Sequence, residues 1–164
     1  MDLNQRCKKI RLLLLDVDGV LTDGRLYYGP NGEEIKAFFV RDGYGLKLWH
    51  AAGFRSGIIS GRNSDIVSFR AAETNMSFIY QGNDNKIEAF NELVAEANFP
   101  ADEIAFVGDD TLDIPVFERV GLAIAVADAH EDAIKAAHYI TNTPGGRGAV
   151  REVIDMLLKA RSSS

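Results

Sequence analysis

Cysteine is nearly missing from this sequence: Cys7 is the only one among 164 residues. That excludes an intramolecular disulfide framework and a cysteine-based zinc site. Long apolar runs are missing as well. The leucine run at 12–15 falls far short of the ~20 residues that cross a bilayer, and Met1 to Lys9 is polar. We therefore expect neither a secretory leader nor a membrane anchor, and a cytoplasmic protein. Cations are in deficit, 18 Lys and Arg against 24 Asp and Glu, for a net charge of −6. This argues against a nucleic-acid or anionic-membrane partner. It leaves room for a small anionic substrate, because a metal and a few cations reverse the field inside one pocket. His50, His130 and His138 lack metal-like spacing and read as structural or exposed, and Trp49 reads as core. With no internal repeat and no linker, residues 1–164 read as one domain.

What is present is ordinary in bulk, with 46% hydrophobic and 26% charged residues, and informative in pattern. The stretch Leu12-Leu13-Leu14-Leu15-Asp16-Val17-Asp18-Gly19 reads as a buried parallel strand that stops at two carboxylates. Ligands of open α/β sheets bind just beyond such strand ends. Asp16 and Asp18 repel each other unless a cation or a shared proton intervenes, and Mg²⁺ is the simplest cation. The alternative is a strand followed by an Asp-rich turn.

Two β-rich runs around Gly29-Pro30-Asn31-Gly32 predict a hairpin over about 25–40, with Tyr27, Tyr28, Phe38 and Phe39 needing a surface to pack on. Arg41 to Gly45 leads into a helix carrying Leu46, Leu48 and Trp49. Strands follow at 54–59, 78–80, 104–107, 122–126 and 139–141, alternating with helices over about 64–74, from Lys86, over 115–120, and before Tyr139. Residues 144–148 read as a flexible loop, about 149–161 as a final amphipathic helix, and 162–164 as frayed. The alternation implies a Rossmann-like parallel sheet covered by helices on both faces.

A parallel sheet would bring the strand ends at Asp16/Asp18, Ser60-Gly61-Arg62 and Gly108-Asp109-Asp110 to one edge, with Lys86 opening a helix close behind another strand. Carboxylates for a metal, a hydroxyl, a lysine and turn amides suit a Mg²⁺-assisted reaction on a phosphate. Asp16, at the end of a rigid strand, would be a nucleophile passing through an aspartyl-phosphate. Asp18 would protonate the leaving oxygen and then deprotonate water. Alone, Lys86 also reads as a solvated helix-start lysine, Arg62 and Arg70 as surface arginines, and Asp113 as an N-cap ahead of Pro115.

In order, Asp16-Val17-Asp18-Gly19-Val20-Leu21-Thr22, Ser60, Lys86, and Gly108-Asp109-Asp110 with Asp113 resemble the four motifs of the haloacid dehalogenase superfamily of phosphatases. Arg41 to Gly45, Tyr80-Gln81-Gly82, residues 126–130 and residues 145–152 resemble one branch, the capless 3-deoxy-D-manno-octulosonate 8-phosphate phosphatases. The resemblance implies a nucleophile at Asp16, a general acid/base at Asp18, and Mg²⁺ on Asp16, the Asp18 carbonyl and Asp109. It implies phosphoryl binding by Ser60, Gly61 and Lys86. It implies substrate contacts from Asp18, Phe39, Val40, Arg41, Asp42, Gly43, Lys47, Arg62 and Arg70, with Asp110 and Asp113 orienting the metal site and Lys86. The reaction implied is release of inorganic phosphate from a small sugar-acid phosphate, in lipopolysaccharide precursor synthesis.

Between Thr22 and Ser60, and between Arg62 and Lys86, there is no room for a cap domain. The aromatic hairpin and the branch resemblance together imply a homotetramer, with the Gly-rich loop and final helix as candidates for a mobile cover over a neighbouring site. Lys47 and Thr111 stand where arginine and a bulkier apolar residue are expected, which keeps phosphates of nine-carbon keto acids (ketodeoxynononate, acylneuraminate) open as substrates. A receiver domain is disfavoured because its phospho-accepting Asp lies at a middle strand, where this chain has Ser60. A catalytically dead regulatory relative is disfavoured by the intact Asp16, Asp18, Lys86 and Asp109.

Overall fold

In the computed structural model, which describes residues 1–162, a short helix α1 (Leu3–Lys9) precedes β1 (Leu12–Leu15), whose four leucines are fully buried. The twofold period of a strand sends Leu13 and Leu15 into one core and Leu12 and Leu14 into the other. A small antiparallel hairpin, β2 (Tyr27–Tyr28) with β3 (Glu34–Ile35), stands between β1 and α2 (Val40–Ala51). The chain continues through β4 (Arg55–Ser60), α3 (Asp65–Glu73), β5 (Phe78–Gln81), α4 (Lys86–Ala97) and β6 (Ile104–Gly108). It ends with α5 (Ile114–Phe117), β7 (Leu122–Ala125), α6 (Glu131–Ala136), β8 (Tyr139–Ile140) and α7 (Ala149–Ser162).

Six strands form one parallel sheet in the order β5-β4-β1-β6-β7-β8. The chain winds outward from β1 through β4 and β5, then returns to lay β6, β7 and β8 on the other side. That reversal beside β1 opens a crevice at the carboxyl edge. Leu15 lies opposite Ile58 and Val107, so Asp16, Ser60 and Gly108 arrive at the same edge. Residues of α1, α2, α3 and α7 pack on one face of the sheet. Those of α4, α5 and α6 cover the other.

Several local expectations need correction. The hairpin strands are only two residues long; Phe38 lies outside them, partly buried against the core, and Val40 already begins α2. Arg41 to Gly45 is helix, not a lead-in. Gly45 sits inside it because α2 packs closely on α7: a Cβ there would lie 2.9 Å from Arg151 Cδ and 3.2 Å from Ile154 Cδ1. Packing overrides propensity at this point. Residues 144–148 are docked rather than loose: the Gly146 N–H donates to the Val20 carbonyl (2.9 Å) and the Gly145 N–H to Asp128 Oδ1 (2.9 Å). α1 was not anticipated; an Asp2/Gln5 capping box closes its start and Cys7 is its one buried residue. Ser162 ends α7, and the rest of the expected frayed tail lies outside the described residues.

Candidate active site

The turn after β1 is built to present two carboxylates. Backbone N–H groups of Val20, Leu21 and Thr22 converge on the Val17 carbonyl, and Thr22 Oγ1 accepts from the N–H of Gly19 and Gly24. Asp16 is 6% exposed, and its backbone N–H donates to the Val107 carbonyl, which locks it to β6. Asp16 Oδ1 receives the Val17 N–H (2.7 Å) and lies 3.1 Å from Lys86 Nζ. Lys86 is buried too, so its reading as a solvated helix-start lysine does not hold.

Asp113 holds the other side of Lys86. Its Oδ1 is 2.6 Å from Nζ, and its Oδ2 accepts the N–H groups of Asp109 (2.8 Å) and Asp110 (3.2 Å). Asp113 stands at the N-cap position of α5 ahead of Pro115, as expected, but with both oxygens so used its side chain makes no cap there, so it is more than an N-cap. Asp110 is exposed and caps its own 3₁₀ turn through Thr111 N–H (2.7 Å).

The electrostatics of this cluster ask for a cation. Burial, then the nearby Asp113 charge, hold the Asp16 carboxyl well above its ordinary range despite Lys86. Burial pushes Asp109 up to about 6, although a hydrogen bond with Asp16 pulls the other way. Burial depresses Lys86, but Asp16 and Asp113 outweigh it and keep its pKa above that of an ordinary lysine. Oxygens of Asp16, Asp109 and Asp113 lie within 4.8 Å of one another. Because Asp113 is consumed by Lys86 and two amides, Asp16 and Asp109 remain as the anionic pair. A Cβ on Gly19 (φ +88°) would overlap the Asp109 carboxylate, so only glycine leaves that oxygen room. A buried and a half-buried carboxylate of raised pKa fit Mg²⁺, which is held by few protein oxygens and keeps positions for water and phosphate.

A cavity of about 260 Å³ opens here, lined by Asp16, Asp18, Ser60, Gly61, Lys86 and Asp109 among others. Arg62 and Asp110 also line it. Phe39, Val40, Arg41, Asp42, Gly43, Lys47 and Arg70 do not. Val40, Gly43, Lys47 and Arg70 border a separate hollow, while Phe39 and Arg41 border another beside Arg147. Asp42 is buried under α7, where its Oδ1 accepts the Arg151 N–H (2.9 Å). Arg70 pairs with Glu73 (2.8 Å) and lies over the Phe38 ring. Within one chain, then, the structure joins the strand-end residues and leaves the helix-borne substrate candidates apart.

Two residues escaped the sequence reading. Lys36 Nζ lies 2.6 Å from Asp18 Oδ1 and 3.0 Å from Glu34 Oε1, with its side chain only 2% exposed. The signal was the period of the hairpin strand, which puts Glu34 and Lys36 on one face and Ile35 on the other. Arg62, expected either at substrate or at the surface, bridges Glu34 (3.1 Å) and approaches Asp18 (3.8 Å). The histidines are structural: His50 bonds Ser56, His138 accepts the Ala123 N–H, and His130 accepts the Asp132 N–H.

A six-stranded parallel sheet with an acidic, lysine-backed crevice at its switch point places the chain among the doubly wound α/β domains that carry their site at the carboxyl edge of the sheet. Comparison with known proteins makes it specific. Residues 54–154 match the haloacid dehalogenase-like hydrolase family, and the chain belongs to that family. It is 49% identical over 160 residues to the 3-deoxy-D-manno-octulosonate 8-phosphate phosphatase KdsC of Escherichia coli K12, covering 98% of this chain and 85% of that protein. The crystal structure of the phosphatase of that name from Yersinia pestis superposes with a TM-score of 0.96 at 46% identity, over 98% of this chain and 87% of that one. The Moraxella catarrhalis phosphatase, solved with a magnesium ion, a phosphate ion and a KDO molecule, gives 0.93 at 40% identity, over 96% and 90%.

Proposed function

We propose that this protein is a Mg²⁺-dependent phosphatase that hydrolyses 3-deoxy-D-manno-octulosonate 8-phosphate to the free sugar acid and inorganic phosphate. The observation that carries this is Asp16 held against Lys86 beside Asp109, lining a cavity of about 260 Å³ at the sheet edge. Asp16 attacks phosphorus as the bond to the sugar oxygen breaks, and the carboxylic acid of Asp18 gives its proton to that oxygen. Asp18, now a carboxylate, takes a proton from water, whose oxygen attacks the phosphorus of the aspartyl-phosphate. Phosphate leaves, Asp16 is regenerated, and Asp18 again carries a proton. Ser60, the Gly61 amide and Lys86 neutralise the phosphoryl oxygens, while Asp113 and Asp110 keep Lys86 and the acidic loop in place. Mg²⁺ on Asp16, the Asp18 carbonyl and Asp109 would supply the positive charge that offsets these carboxylates and the phosphoryl oxygens.

We further infer a cytoplasmic homotetramer acting on a small sugar phosphate, with neither nucleic acid nor membrane as partner. Supporting this, Tyr28 and Ile35 of the hairpin are 59% and 55% exposed, Val40 and Phe69 78% and 73%. The substrate candidates on α2 and α3 lie outside the Asp16 cavity, as a site shared between copies requires. No helix among the described residues is long and apolar enough to cross a membrane. The test is phosphate release from eight- and nine-carbon keto-acid phosphates, with Mg²⁺ and with EDTA. Preference for the eight-carbon substrate, abolished by EDTA, is expected; preference for a nine-carbon substrate would reassign the specificity, and EDTA-resistant turnover would overturn the metal.

A further inference from the structure

A lysine with a 2% exposed side chain on a hairpin of two-residue strands is unusual, because burying an ammonium is costly unless carboxylates receive it. Lys36 has two such partners, Asp18 Oδ1 at 2.6 Å and Glu34 Oε1 at 3.0 Å. Glu34 is itself fixed: Ser64 Oγ donates to its Oε2 (2.6 Å) and Arg62 Nη2 to its Oε1 (3.1 Å). The Ser64 N–H donates in turn to the Gln81 side chain at the end of β5 (3.1 Å). A chain of polar contacts therefore runs from the sheet edge through Ser64, Glu34 and Lys36 to Asp18. Asp18 needs such a hold, since it sits in a turn with its side chain 24% exposed, free to rotate without a partner.

We propose that Lys36 is a positioning residue for the reaction: by binding Oδ1 of Asp18 it turns Oδ2 toward the leaving oxygen. Arg62 Nε, at 3.8 Å from Oδ2, is too distant to occupy that oxygen. The hairpin is thereby part of the catalytic apparatus and not only a surface for other copies. The inference rests on the phosphatase reading above. A merely structural role, pinning the hairpin to the body, predicts a different kinetic pattern. Proton delivery matters for a basic alkoxide leaving group and little for p-nitrophenolate, which leaves without a proton.

The test compares wild type, Lys36→Met, Lys36→Arg, Asp18→Asn and the Asp18→Asn/Lys36→Met double variant. Two rates are read: steady-state hydrolysis of the sugar-acid phosphate and first-turnover release of p-nitrophenolate from p-nitrophenyl phosphate. A misplaced catalytic group costs about 10²-fold in rate. Lys36→Met should therefore lose about 10²-fold in kcat on the alkyl phosphate, at least tenfold more than on the aryl phosphate. Lys36→Arg should recover most of the loss, and the second substitution should add less than about twofold to Asp18→Asn. Equal losses on both substrates, a change confined to KM, or additive losses in the double variant would overturn the assignment. If Lys36→Met lacks a cooperative melt, Glu34→Gln takes its place, and it must show the same leaving-group bias in weaker form. Wild type inactive on both substrates would instead overturn the phosphatase reading itself.

Discussion

Asp42 offers a clean thermodynamic test of how α2 is held under α7. It is 1% exposed; Oδ1 accepts the Arg151 N–H, and Oδ2 is buried without a partner. Desolvation pushes its pKa up to about 6, with the Arg151 N–H and the charges of Arg70 and Arg151 opposing but not overcoming it. An unfolded aspartate titrates near 3.9. Between those values the folded protein holds the extra proton, so Asp42 contributes stability that is present below about pH 4 and lost as pH rises through about 6. Two pH units at 1.36 kcal/mol each give about 2–3 kcal/mol. Asp42→Asn keeps an oxygen for Arg151 and cannot ionise. Urea unfolding of both proteins at a series of pH values isolates the effect, since the difference cancels the acidic cluster common to both. The stability of Asp42→Asn relative to wild type should rise by about 2–3 kcal/mol from pH 4 to 7.5 and then level off. A flat or falling difference would refute the reasoning.

Two other substitutions probe the site. Asp113→Asn removes the 2.6 Å carboxylate partner of Lys86; it should destabilise by about 3 kcal/mol in urea unfolding and slow phosphate release more than tenfold, and wild-type stability would contradict the pairing. Gly145→Ala places a Cβ onto the Gly19 carbonyl. It should cost about 1–3 kcal/mol and lower turnover by displacing the turn that carries Asp18, whereas unchanged stability and turnover would show the loop to be loose.

Strand signals survived translation into three dimensions because they arise from burial on both faces. Leu12 to Leu15, Ile58-Ile59 and Ile104 to Val107 are apolar for the same reason that they are central. Residues at the ends of those strands, Asp16, Ser60 and Asp109, therefore met as the parallel order requires. Lys86 was legible once that edge was fixed. What stayed hidden depends on pairings between distant side chains. Nothing local marks Lys36 as the partner of Asp18, 18 positions away, whereas Asp113, implied by the family resemblance to orient Lys86, does hold it. The helical state of Arg41 to Gly45 was masked by two glycines, at least one of which serves contact with α7. α1 escaped because its seven residues bury only Cys7 and carry no apolar stripe.

On the proposed route Asp16 carries the phosphoryl group. Phosphate release by Asp16→Asn from 3-deoxy-D-manno-octulosonate 8-phosphate, with saturating Mg²⁺ and at matched melting temperature, tests it most directly. Turnover should fall to background, because the amide lacks the nucleophilic oxygen while keeping the side chain's shape. Residual turnover above about 1% of wild type would contradict a covalent route, since loss of a nucleophile costs several orders of magnitude.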